Sequence, residues 1–264
     1  MIWRSLAITL ACAAGVANAA VTSETYHGAS SDLLDLPFTP SDSDLIAGEL
    51  PSSASGIGTM NGFRTDPPMT PAGDQFPAYT DGLGLLGSGL TGLLADNEPV
   101  VDGRIIQTAV YSLDDSRLDE IRVFTGNSSG DARQFSTFVV SLSTDGGASF
   151  VPVGPSGGYF QSDPTDTSPA AGTVSTLQRI FDTSGPLGLG VDAVQIDFYA
   201  SSNNTVNAAR DPFDGVNPFT GVDDLAPAAN QSPLVWEVDL IAIPEPAAAM
   251  LSLIGLTATA ARRR

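Results

Sequence analysis

From position 105 onward, apolar and polar residues alternate in short runs. Ile121 and Val123 oppose Glu120 and Arg122, and Val194, Ile196 and Phe198 oppose Gln195 and Asp197. Near the end, Trp236, Val238 and Leu240 oppose Glu237 and Asp239. A period of two places alternate side chains on opposite faces of a strand. The pattern predicts strands over 105–111, 118–124, 137–143, 149–153, 174–181, 191–199 and 235–240, with Trp236, Val238 and Leu240 inward. Asp145-Gly146-Gly147 separates two of these runs and reads as a hairpin turn. No stretch keeps a helical period over three turns, and no fixed-length repeat is present. Turns every ten or so residues then predict an all-β, antiparallel sandwich or barrel.

The first half is less regular. Residues 20–43 read as a loose leading segment, and 44–102 as short apolar islands broken by Pro, Ser and Gly, with irregular strands at best. One β domain is expected over 44–243.

The two ends carry a different pattern. Met1 to Ala19 has a basic residue (Arg4), an apolar core from Leu6 to Val16 and the small-residue site Ala17-Asn18-Ala19. That is the layout of a signal peptide, and signal peptidase would leave Ala20 as the mature start. Cys12 does not make it a lipoprotein signal, because Thr9 stands where a branched apolar residue is usual. At the other end, Pro244-Glu245-Pro246 precedes an apolar run from Ala247 to Ala261 and then Arg262-Arg263-Arg264. As a helix the run would reach only ~22 Å, against ~30 Å of bilayer hydrocarbon, a marginal span. Arginines beyond it would hold that end in the cytoplasm and leave the rest outside.

Composition narrows the partners. Thirty acidic residues face eleven basic ones, for a formal charge of −19, and there is no lysine. Such a surface repels nucleic acid and anionic lipid before contact. Divalent cations and neutral sugars remain compatible with it. Cys12 is the only cysteine and lies in the leader, so the mature chain has no intramolecular disulfide. His27 is the only histidine and lies outside the predicted core, which disfavours a Ser-His-Asp triad. Gly82-Leu83-Gly84 and Gly87-Ser88-Gly89 lack the Lys and strand–helix context of a phosphate loop. No catalytic residues are expected. Glu120 and Glu237 are the acids in strands for a glycosidase, the alternative reading, but an exposed sheet face explains them as well.

The tail of Pro-Glu-Pro, apolar run and triple arginine closely resembles the bacterial PEP-CTERM sorting signal over residues 244–264. The resemblance implies a transient membrane anchor that an exosortase removes at the motif. The destination it implies is the cell surface or exopolysaccharide matrix.

Between the ends, the order of pieces resembles the galactose-binding-like jelly roll of discoidin domains and carbohydrate-binding modules. Tyr79-Thr80-Asp81-Gly82 comes early, Ser143-Thr144-Asp145-Gly146 forms a hairpin, and Glu237-Val238-Asp239-Leu240 closes the domain. Phe150 stands where that family usually carries Trp after the hairpin. The same hairpin matches the Asp-box of sialidase propellers, which carry several copies; this chain has one. The jelly-roll resemblance implies a structural calcium ion between Asp81 and Glu237, with Asp96 and Asp102 as helpers. Polysaccharide is the implied partner. The 200–233 insertion offers Arg210, Asp211, Phe213 and Phe219 as a sugar-contacting loop, since aromatic faces with charged hydrogen-bonders suit sugars. The competing explanation is that the two phenylalanines pin the loop to the domain.

Overall fold

A computed structural model describes residues 21–29, 35–56, 79–82, 103–126, 133–162, 175–204 and 207–243. The leader with Ala17, Ala19 and Ala20, the tail from Pro244 to Arg264, and Asp96 and Asp102 lie outside these residues.

Among the described residues there is no helix, and twelve strands build three antiparallel sheets. One sheet has four strands in the order β1 (Val21–Gly28), β8 (Ser175–Asp182), β4 (Glu120–Gly126) and β12 (Val235–Ile241). The other runs β2 (Ser53–Gly56), β3 (Ile105–Leu118), β9 (Gly188–Tyr199), β5 (Thr137–Ser143) and β6 (Val151–Pro152), with β7 (Tyr159–Gln161) also on β5. A small ribbon joins β10 (Ser202–Asn204) to β11 (Asn207–Arg210).

Alternation explains the layering. Ile121, Val123, Ile180, Val235, Val238 and Leu240 of the first sheet share one apolar cluster with Ile106, Tyr111, Phe138, Val140, Val194, Ile196 and Phe198 of the second. The molecule is therefore a β-sandwich held by burial of both inner faces. A second cluster lies on the other face of the four-stranded sheet, where Trp236 joins Leu36, Phe124, Leu177 and Leu234.

Three expectations are corrected. Residues 21–28 are a regular edge strand, registered from Val21↔Asp182 to Gly28↔Ser175, not loose chain. Trp236 does not face the inter-sheet core: the register shifts between Val235 and Glu237, and this bulge turns the indole to the second cluster. Glu120 and Glu237 are not on a solvated face; both are buried. His27 sits on β1 with its Nδ1 3.2 Å from Thr176 Oγ1 and its ring edge-on to Phe135.

Glu120 is the hub of an ionic network on the outer face of the four-stranded sheet. Arg122 Nε donates to its Oε1 at 2.5 Å and Arg179 Nη2 to its Oε2 at 2.8 Å. Both guanidinium groups also lie over aromatic rings, Arg122 over Phe38 and Arg179 over Phe38 and Phe181.

Candidate metal centre

Where β12 meets the chain near Asp44, three carboxylates converge. The extended backbone of β12 puts Glu237 and Asp239, two residues apart, on one side of the strand. Asp44 is brought up by a short clamp: Leu45 N donates to Leu240 O at 2.7 Å, and Leu240 N donates to Asp44 Oδ1 at 2.8 Å. Ser41 N donates to Asp239 Oδ2 at 3.0 Å from the same segment.

One oxygen from each of Asp44, Glu237 and Asp239 lies within 4.8 Å of the others. Oxygens that close can all sit about 2.4 Å from one calcium ion. Among the described residues no ion pair reaches any of the three. Glu237 Oε1 and Asp239 Oδ1 are buried without a hydrogen-bond partner, and so is the Tyr111 hydroxyl. Tyr111 belongs to this site: after burial, the Glu237 and Asp44 charges are what raise its pKa.

Electrostatics register the crowding. Burial first, then the Asp239 and Asp81 charges, push the Glu237 carboxyl up to about 9. Burial and the Asp44 charge push Asp239 up to about 7, against a partial offset from Arg122. Burial alone raises Asp44 to about 6, opposed by the amides of Leu240 and Ile46. Buried carboxylates either take up protons or need a compensating cation. A hard divalent ion fits this donor set: three carboxylates, with two buried oxygens that have no other use.

Asp81 and Glu237, expected together, are brought together. The amide of Gly82 donates to Glu237 Oε2 at 3.0 Å, and the Asp81 charge acts on Glu237. Asp44 and Asp239 were not singled out in the sequence. Asp239 carried a signal in its i, i+2 relation to Glu237; Asp44 is joined only by the fold.

Arg210, Asp211, Phe213 and Phe219 lie together on a separate surface. Phe219 stacks on Tyr159 with ring centres 5.2 Å apart, and Phe213 meets Tyr199 at 5.9 Å. Val139, Tyr159 and Tyr199 form the floor, so both phenylalanines pin the loop to the outer face of the six-stranded sheet. Asp211 is buried: it accepts from Phe213 N at 2.8 Å and Asn217 Nδ2 at 3.1 Å, and so shapes the loop from within. The Arg210 carbonyl accepts from Gln161 Nε2 at 2.9 Å.

The hairpin at Asp145 is held by its own serines and by Asp192 of β9, whose Oδ2 accepts from Gly146 N at 3.0 Å. Ser143 Oγ and Ser149 Oγ donate to its carboxylate at 2.7 and 2.6 Å, and Gly146 and Gly147 supply the positive φ the turn requires. No protein-family model, curated protein or solved structure matches this chain.

Proposed function

We propose that this chain is an exported surface or matrix protein, sorted through Pro244-Glu245-Pro246 and its Arg262-Arg263-Arg264 terminus. Its sandwich, read as a galactose-binding-like jelly roll, acts as a structural or adhesive module with weak affinity for polysaccharide. A structural calcium ion is held by Glu237 with Asp44 and Asp239, and with Asp81 beside them. One observation supports this reading above the others. The Asp81-Gly82 loop meets Glu237 of the last strand across 155 positions, as the resemblance requires.

The ion would neutralise two buried carboxylates and one half-buried one, and tie the segment around Asp44 to the closing strand. Its role is cohesion rather than chemistry. Titration calorimetry of the exported domain with calcium should give heat of binding that Glu237→Gln abolishes. Absence of heat, with a melt unchanged by EGTA, removes the cation from the reading. Sorting is tested by mass spectrometry: cleavage near Pro244 in the native host should be lost when Pro244-Glu245-Pro246 is replaced by alanines.

A further inference from the structure

The register of the four-stranded sheet fixes where the two terminal segments leave the domain. Thr22 pairs with Phe181, Phe181 with Glu120, and Glu120 with Ile241. The four residues form one row across the sheet, with β1 and β12 as its two edges. Three gaps of about 4.8 Å put the two exits about 14 Å apart. Both chains also leave in the same direction: β1 begins at Val21, β12 ends at Ile241, and the two strands run oppositely to β8 and β4 respectively.

Neither exit has a linker. Thr22 is six residue steps from Val16, the end of the leader's apolar core, and Ile241 is six steps from Ala247, the start of the tail's. Fully extended, each reaches about 20 Å at most, which after a headgroup layer of about 5–8 Å leaves less than about 15 Å between the sheet end and the bilayer. Ile243 is held besides, its amide donating to Asp119 Oδ2 at 2.7 Å.

We infer that the end of the sandwich bearing Thr22, Phe181, Glu120 and Ile241 faces the lipid bilayer during export, and the opposite end faces away. The inference rests on the export reading above. The membrane-facing end also takes in the β8–β9 turn around Ser184, since Leu118 pairs with Gly188 beside it. At that end Asp119 is paired with Arg117, and Glu120 with Arg122 and Arg179, so short tethers rather than attraction to anionic lipid keep it close. Ala29 lies seven residues along β1 from Thr22, about 23 Å farther from the membrane. The segment after β9 that carries Phe213 and Phe219 leaves the sheet at the outward end, where Ser201 bridges Gln231.

Loss of the leader removes Cys12, so a single introduced cysteine can carry a fluorophore. The chain with its tail intact, made without an exosortase, is placed in phosphatidylcholine vesicles carrying a headgroup quencher. Label on Ser184→Cys should be quenched at least threefold more than label on Ala29→Cys. Leu189→Cys and Asn230→Cys repeat the comparison at a second inward and outward pair. Equal or reversed quenching, while the protein floats with the vesicles, overturns the orientation and leaves the export reading standing. Failure to float with the vesicles overturns the tail as an anchor, and the orientation with it.

Discussion

Glu237 accepts the amide of Gly82 through one carboxylate oxygen while the other is buried with no partner. A bound cation would supply what that second oxygen lacks. At a thousandfold excess over its dissociation constant, bound calcium adds about 4 kcal/mol. For a domain of this size that is a rise of about 10 °C in melting temperature. Scanning calorimetry in calcium and in EGTA measures the difference. Glu237→Gln should erase it and, in EGTA alone, melt above the parent chain, because it spares folding the cost of protonating a buried carboxyl.

The pH dependence in EGTA has a definite sign. Glu237, Asp239 and Asp44 are raised to about 9, 7 and 6, while unfolded carboxyls titrate near 4. Between about pH 4 and those raised values the folded chain binds more protons, so stability falls as pH climbs. From pH 5 to 9 the melt in EGTA should drop by roughly 20 °C. Calcium competes with the protons and should flatten the curve, as a matched pair of pH series would show.

Glu120 is the acceptor for two arginines and is nearly excluded from water, whereas Arg122 and Arg179 keep some exposure. Glu120→Gln leaves two cations with half their acceptor. Breaking a fully buried pair costs 3–5 kcal/mol, and solvent at the arginines lowers this to about 2–3. Urea denaturation should report it, and adding Arg179→Met should recover part of the loss.

Gly126 has no space for a side chain. A Cβ there would overlap the six-membered ring of Trp236, itself buried against Phe124 and Leu177. Gly126→Ala should destabilise by about 1–3 kcal/mol through overpacking. The pair with Trp236→Phe should be less than additive in the same measurement.

Phe219 holds its loop through a face-to-face contact with Tyr159. Phe219→Ala should expose the segment to limited proteolysis between Asp211 and Ala229 while the global melt falls by only about 1–3 kcal/mol equivalent. Cleavage at the parent rate would show that Phe213 suffices as the pin.

The longer strands from Ile105 onward were legible because one face of each is apolar, whereas β7, β10 and β11, three or four residues each, are too short to show a period. Val21–Gly28 was not, since an edge strand of Thr, Ser, Glu, Tyr and His alternates weakly. The bulge before Glu237 was invisible for another reason: one added residue inverts Trp236 without changing the local pattern. Of the metal site, Asp81 and Glu237 could be read through their order along the chain. Asp44 could not, because a single bridge to Ile241 places it and nothing local marks it.

The four-stranded sheet takes its first and last members from opposite ends of the chain, with Val238 and Leu240 of the final strand filling the middle of the core. Until residue 241 is free to pair, that layer has an open flank and the interior has a gap. Closure therefore waits for the last strand, a long-range pairing that makes folding slow and leaves the incomplete chain open to aggregation.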